Sequence, residues 1–244
     1  MTGLVHSMTL AAGTPLYRIT SPGFLTASRA LHANVVNGQG ALHNPHGARY
    51  NYPGVVTVYL AETLDTCFAE MMFYFQREYL QRLDLSHMAY PGVSALTPPF
   101  QKTYVLWRIE LQHDVPDIAD LNTASAGYFG VFPLMLTNPS QDYWHLKQRR
   151  AHIQSQGYAG IRAPSSRSTT GGHIIALFQS QSGNVASIEP VEMEVRLIQP
   201  SGAVFSNHVT ESLDFEACEV QATSNPLPSW VSAYSNWNPL RLHH

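Results

Sequence analysis

The stretch VVTVYLA at residues 55–61 decides the fold. It is a β-branched run with Pro53-Gly54 in front and acidic residues behind, a pattern that predicts a buried strand. Thr63 follows with the side chain of a helix N-cap. Apolar residues then recur at i, i+3 and i+4 spacing through about residue 79: Cys67, Phe68, Met71, Met72 and Phe75. The sequence therefore predicts a strand that runs directly into an amphipathic helix.

Further elements are predicted on both sides of this unit. Alternating or continuous apolar positions predict four more strands, at residues 16–19, 104–111, 173–178 and 191–198. Residues 143–156 predict a second helix, with Gly157 as its cap. A Pro-bearing connection is predicted at 80–101 and a Pro-, Ser- and Trp-rich tail after residue 225. Many short strands with few helices predict an α+β fold without a firm domain boundary.

Composition limits the class of protein. The chain has 244 residues, of which 44% are hydrophobic and 13% charged, and this charged share is about half the usual one. Such a length suits one domain plus additions, and the weakly charged surface favours a protein partner. The net charge of −3, with Lys and Arg spread thinly, argues against direct binding of nucleic acid.

Cysteine usage and apolar runs predict the compartment. Cys67 and Cys218 each stand in a stretch of regular structure, which fits reduced thiols in the cytoplasm. Neither a signal peptide nor an apolar run near the length of a membrane span is present. We expect a cytoplasmic protein that has no membrane partner. Delivery into another cell by a route that needs no signal peptide stays open.

Three polar constellations are candidates for a functional site. Arg49 lies in a turn-rich segment ahead of the buried strand, where its guanidinium suits a phosphate or carboxylate, although a plain surface arginine fits as well. Glu70 lies near the edge of the helix's apolar face, where a carboxylate either does chemistry or is simply solvated. Tyr59, taken alone, fits the core. Ser165 and Ser166 follow Pro164 in a Gly-flanked stretch that fits either a ligand-binding loop or an ordinary one.

Other chemistries find little support in the sequence. His43 and His46 lie three apart in a Pro-containing loop, and no recognised zinc spacing is present. We expect no metal in the site. No phosphate-binding P-loop and no dinucleotide fingerprint occur, so the use of NAD as a redox cofactor is not predicted.

Taken in order, these segments resemble the RES family, which is named for an Arg, a Glu and a Ser. The matching motifs are Leu16-Tyr17-Arg18-Ile19, Gly47-Ala48-Arg49-Tyr50-Asn51, Val58-Tyr59-Leu60-Ala61, Glu70 and Pro164-Ser165-Ser166-Arg167 with Ala176-Leu177-Phe178. Ala48 and Tyr50 stand where the family usually has glycine and tryptophan, which preserves the character of the loop. The resemblance implies a RES domain at 14–198 and a C-terminal extension of unknown role at 199–244.

The resemblance implies both a fold and an activity. The implied fold is a single domain with a mixed, mostly antiparallel β core similar to ADP-ribosyltransferases, flanked by helices. The implied activity is that of a toxin, usually encoded with an Xre-type antitoxin, that depletes NAD by cleaving its nicotinamide–ribose bond. NAD is then a consumed substrate, and no cofactor is expected.

The same resemblance implies roles for individual residues. Glu70 stabilises the charge that develops on the ribose, and Arg49 and Ser165 complete the catalytic set, with Ser166 left open as an alternative to Ser165. The implied NAD-binding residues are Tyr17, Arg18, Arg49, Tyr50, Asn51, Tyr59 and Ser165. The acceptor stays open between water and phosphate. Two other functions also stay open: a mono-ADP-ribosyltransferase acting on a specific protein, and a catalytically silent module that binds a partner.

Overall fold

The structure is a computed structural model of the chain. It describes residues 6–21, 48–75, 101–132, 135–136, 143–168, 171–181, 184–197, 218–223 and 228–232. The connection predicted at 80–101 and the end of the first helix near residue 79 lie almost wholly outside these residues, as does most of the tail after residue 225. Within the described part of the chain, no helix is long and apolar enough to cross a membrane.

Nine strands and three helices of four or more residues form the described fold, together with two helical residues at 135–136. The strands are β1 (Ser7–Leu10), β2 (Pro15–Thr20), β3 (Thr57–Ala61), β4 (Gln101–Glu110), β5 (Val115–Asp120), β6 (Gly160–Pro164), β7 (His173–Phe178), β8 (Ser187–Leu197) and β9 (Cys218–Ala222). The helices are α1 (64–75), α2 (Trp144–Ser155) and α3 (Ser229–Ser232), with a 3-10 turn at Gln179–Gln181. Thr63 caps α1 as predicted, because its Oγ1 accepts the N–H of Thr66 at 3.2 Å.

All nine strands belong to one sheet, in the order β1-β5-β6-β7-β3-β2-β4-β8-β9. The pair β5–β6 is parallel, and each of the other described neighbours is antiparallel. This mixed, mostly antiparallel sheet with flanking helices confirms the predicted α+β fold.

The sheet is almost divided between β2 and β3. Tyr17 and Ala61 are the single pair of residues in register between these strands, whereas β2 is paired with β4 along its whole length from Pro15 to Thr20. Beyond the Tyr17–Ala61 pair the two strands separate. The sheet therefore consists of a five-stranded half that ends in β3 and a four-stranded half that begins with β2.

Each half of the sheet carries its own helix on the same face. Apolar residues of α1 such as Phe68 and Met72 pack with Leu106 of β4 and Met193 of β8. Leu146 and Ile153 of α2 pack instead with β5, β6 and β7. The opposite face is one apolar cluster that spans both halves and includes Trp107 of β4 and Ile175 of β7. A gap between the two helices thus lies above the split in the sheet.

Several elements differ from the sequence predictions. The stretch at 157–167, predicted as a loop, contains β6, whose residues Gly160, Ile161 and Ala163 are buried between β5 and β7. Strands β1, β5 and β9 were not predicted. Strand β3 begins at Thr57 rather than Val55. Two elements lie beyond residue 198. Strand β9 pairs with β8 at the edge of the sheet, and Trp230 of α3 packs against the apolar cluster that includes α1.

Candidate functional site

A cavity of about 450 Å³ lies where β2 and β3 separate. Residues from the two strands line it on either side of the split, including Arg18 on β2 and Tyr59 on β3. Helix α1 contributes Cys67, Glu70, Met71 and Tyr74. Arg49, Tyr143 and Ser166 close it from the side of the five-stranded half. The fold thus brings five of the predicted site residues to one cavity: Tyr17, Arg18, Arg49, Tyr59 and Glu70.

Glu70 is held by Ser165. The Ser165 hydroxyl donates to Oε1 of Glu70 at 2.5 Å, and its oxygen accepts the backbone N–H groups of Arg167 and Ser168, each at 3.1 Å. Ser165 is 5% exposed, and its own N–H donates to the Gly172 carbonyl. Its hydroxyl therefore orients the carboxylate, and its proton is engaged in this hydrogen bond.

Arg49 has a different environment from the one expected of a phosphate ligand. Its Nη1 donates to the Pro164 carbonyl at 3.0 Å, and its Nη2 donates to the carbonyls of Met135 and Leu136. The side chain is 6% exposed, and its buried Nε has no hydrogen-bond partner among the described residues. Arg49 thus borders the cavity while its guanidinium ties the strand before Ser165 to residues 135–136.

Arg18 and Tyr17 stand on β2 at the split. Arg18 lines the cavity, and burial lowers the pKa of its guanidinium to about 10, so that it stays protonated near neutral pH. Tyr17 is half-buried, and its ring lies 6.0 Å from that of Trp230. Burial raises the pKa of the Tyr17 phenol, opposed by the neighbouring Arg108. The site therefore carries a permanent cation beside a neutral phenol.

Tyr59 connects the cavity to the segment that carries Arg49. Its hydroxyl donates to Oδ1 of Asn51 and accepts the N–H of Tyr50, both at 2.8 Å. Burial raises the pKa of Tyr59, and it raises that of Tyr50 to about 12. Tyr50 and Asn51 are fully buried behind the cavity and are not part of its lining. Their side chains support the wall at this point, and only Tyr59 among the three faces the cavity.

An ion-pair cluster lies at the same end of the sheet as Ser165. Arg162 of β6 contacts both carboxylate oxygens of Glu62, at 2.5 and 3.0 Å, and Asp120 of β5 at 2.8 Å. Glu62 directly precedes Thr63, so this pair fixes the start of α1 to β6. His173 lies 3.6 Å from Glu62. Burial, and secondly Arg162, lower the pKa of its imidazole.

Sequence reasoning missed part of the lining. Lys102 and Tyr104 of β4, Tyr74 of α1 and Tyr143 before α2 all line the cavity. Tyr74 and Tyr104 lie in or beside apolar patterns that predict core positions, so no local signal separates them from the core. Among the described residues, no group of three or more His, Cys, Asp or Glu side chains is placed to hold a metal ion.

The described chain is an α+β domain with a divided mixed sheet, and a cavity at the division is lined by the carboxylate of Glu70 and the guanidinium groups of Arg18 and Arg49. A family model, that of the RES domain, matches residues 15–198. The chain belongs to the RES domain family, which confirms the resemblance of the motifs.

Seven chains of solved structures match this chain, and one of them is from a crystal structure of the M. tuberculosis MbcT-MbcA toxin-antitoxin complex. The two chains are 17% identical with a TM-score of 0.49, and the match covers 76% of this chain and 87% of that one. No curated protein matches the sequence.

Proposed function

We propose that this chain is a toxin-type enzyme that cleaves the nicotinamide–ribose bond of NAD, with NAD as a consumed substrate. Membership of the RES domain family supports the proposal. The observation that carries it is the carboxylate of Glu70, which is oriented by Ser165 on the wall of the cavity that Arg18 also lines.

The chemistry of the bond requires such a carboxylate. Loss of nicotinamide leaves positive charge on the ribose, and a fixed anion close to that charge lowers the barrier. Because the two backbone N–H groups and the hydroxyl around Ser165 form a preorganised unit, Glu70 needs little reorganisation when the charge develops. In this proposal Glu70 is the catalytic residue and Ser165 is its positioning residue.

The substrate offers groups that the remaining lining can bind. The pyrophosphate of NAD is anionic, and Arg18 supplies a cation inside the cavity. The rings of Tyr17 and Tyr59 border the same space and offer stacking surfaces for the nicotinamide and ribose. Arg49 acts in this proposal by fixing the main chain around Pro164, because its hydrogen bonds go to carbonyl groups.

The proposal extends to a partner and a compartment. An enzyme that destroys NAD harms the cell that makes it, so we include an antitoxin of the Xre type, or another immunity protein, as a binding partner. The cytoplasm is the compartment in which such an enzyme meets its substrate. Binding of the purified chain to the product of a neighbouring gene, measured by calorimetry together with the loss of NAD cleavage, tests this part.

The decisive experiment follows nicotinamide release from NAD by chromatography, for the wild-type protein and for Glu70→Gln. Glutamine keeps the shape of the side chain and removes its charge. We expect the rate to fall by about 100- to 1,000-fold, the loss typical of one preorganised electrostatic group. Equal rates in two folded proteins would rule out Glu70 as the catalytic carboxylate.

The acceptor is identified in the same reaction. ADP-ribose as the co-product means that water is the acceptor, and a phosphorylated ADP-ribose formed in the presence of phosphate means phosphorolysis. Radiolabel from the adenine part of NAD that appears on protein would indicate a mono-ADP-ribosyltransferase. A wild-type protein that releases no nicotinamide under any of these conditions would favour a catalytically silent binding module.

A further inference from the structure

Lys102 and Tyr104 lie at one end of the cavity on β4. Both residues line it, and Nζ of Lys102 is 5.4 Å from the centroid of the Tyr104 ring. Tyr104 is 8% exposed, so its ring is a fixed surface. A cation–π contact of this kind holds an ammonium group beside the ring face. The charge of Lys102 is thus kept at the wall of the cavity.

The strand register places Lys102 far from the Tyr17–Ala61 pair, at which β2 and β3 are joined. Tyr17, where β2 joins β3, is opposite Arg108, whereas Thr20 is opposite Val105 and Lys102 lies three residues further. From Arg108 to Lys102 the strand advances by about 20 Å. Lys102 therefore belongs to the end of the cavity that is remote from the Tyr17–Ala61 pair.

Helix α1 relates this end to the proposed catalytic carboxylate. The Phe75 ring lies 6.5 Å from that of Tyr104, and Phe75 follows Glu70 by five residues, which is about 7.5 Å along a helix axis. The Tyr104 end of the cavity is thus displaced from Glu70 toward the later residues of α1.

Four residues supply the charged side chains of the described cavity lining. Among the described lining residues, the cationic side chains are Arg18, Arg49 and Lys102, and the carboxylate is that of Glu70. Three hydrogen bonds of Arg49 go to main-chain carbonyls, so this guanidinium is committed to the fold. The other two cations of the lining, Arg18 and Lys102, stand on the neighbouring strands β2 and β4.

We propose that Lys102 is a substrate-binding residue that takes the pyrophosphate of the dinucleotide, together with Arg18. This inference rests on the proposed function and names a specificity residue within it. Lys102 contacts a part of the substrate that does not change charge during bond cleavage. It therefore contributes to binding in the ground state and the transition state alike, and affects KM rather than kcat.

The test compares Lys102→Met and Lys102→Arg with the wild-type protein. Methionine keeps the length and removes the charge, and arginine restores it. Lys147→Met is the matched control, because Lys147 lies on α2 and is not part of the cavity lining. We expect Lys102→Met to raise the KM for NAD about tenfold with kcat changed less than twofold. Lys102→Arg and Lys147→Met should stay within twofold of the wild-type KM.

Calorimetry with ADP-ribose separates this inference from the proposed function. ADP-ribose carries the pyrophosphate but has no bond to nicotinamide, so its binding does not depend on catalysis. About tenfold weaker binding by Lys102→Met supports the assignment even if the wild-type protein cleaves no NAD. Unchanged affinity in this variant, or no binding by the wild-type protein, overturns it. A larger rise in KM for NADP than for NAD would also overturn it, since Lys102 would then contact the 2′-phosphate.

Discussion

The hydroxyl of Ser165 donates a 2.5 Å hydrogen bond to the carboxylate of Glu70 while two backbone N–H groups bind the same oxygen. Ser165 follows β6 in the five-stranded half of the sheet, and Glu70 lies on α1, which packs on the four-stranded half. This one hydrogen bond therefore links the two halves of the sheet. Each hydrogen-bonding capacity of the hydroxyl is used within the protein. Ser165 is therefore placed to orient Glu70.

This relationship predicts a graded effect on catalysis. Ser165→Ala removes the donor but leaves the Glu70 charge, so kcat for NAD should fall about tenfold, the value of a hydrogen bond to a charged group. The kcat of the Glu70→Gln variant should fall much further than that of Ser165→Ala. Steady-state kinetics measure both, and Ser165→Thr, which keeps a hydroxyl, should recover part of the loss. A Ser165→Ala enzyme as slow as Glu70→Gln would mean that the serine takes part in the reaction itself.

Arg49 should affect stability as well as activity. Lysine at this position cannot reach the carbonyls of Pro164, Met135 and Leu136 at once, and a buried acceptor left unpaired costs about 1–3 kcal/mol. Urea denaturation of Arg49→Lys should therefore give a lower free energy of unfolding by that amount. Arg149→Lys, at an exposed position of α2, is the control and should match the wild type. An unchanged free energy of unfolding would contradict the structural role of Arg49.

Gly172 should not tolerate a side chain. A Cβ at this position would lie 1.7 Å from Oγ1 of Thr66 on the first turn of α1, so the helix would have to shift. We expect Gly172→Ala to lower the free energy of unfolding by about 1–3 kcal/mol, as overpacking does. Gly127→Ala, where a Cβ meets no atom within 4 Å, is the control. Adding Thr66→Ala to the Gly172 variant should restore part of the loss, and a failure to do so would show that this contact is not the cause.

His173 should make stability depend on pH. Burial, and secondly Arg162, lower the pKa of its imidazole from the usual 6.5 in the folded protein, so the unfolded chain binds its proton more readily. The resulting stability is present above about pH 6.5 and is lost as the pH falls below it. Chemical denaturation between pH 7.5 and pH 5 should show a flatter profile for His173→Gln than for the wild type. Parallel profiles would rule out His173 as the titrating group.

Local patterns in the sequence predicted the elements that form within short segments. The i, i+3, i+4 spacing from Cys67 to Phe75 and the Thr63 cap predicted α1, because both depend on neighbours within one or two turns. Strand β6 was missed because Gly160 and Pro164 at its ends have the composition of a loop. Its strand conformation depends on pairing with β5 and β7, which no pattern within 157–167 encodes.

The sequence motifs predicted individual residues of the candidate site, but not the contacts between distant residues that set their roles. The sequence predicted Glu70 as a site residue and it lines the cavity, but its hydrogen bond with Ser165 joins positions 95 residues apart. The carbonyl partners of Arg49 are 86 to 115 residues away, so its local turn suggested a ligand instead. Lys102 gives no local signal, because it faces the cavity only through the pairing of β4 with β2.

The cavity is built from segments that are far apart in the chain, from Tyr17 on β2 to Ile174 on β7. A ribosome must therefore synthesise the chain well past its middle before every wall of the cavity exists. Translation products that end before β7 lack both the partner strand of β3 and the carbonyl of Gly172 that binds Ser165. Interrupted synthesis would consequently release fragments without a complete cavity, so the proposed activity would require synthesis at least through β7.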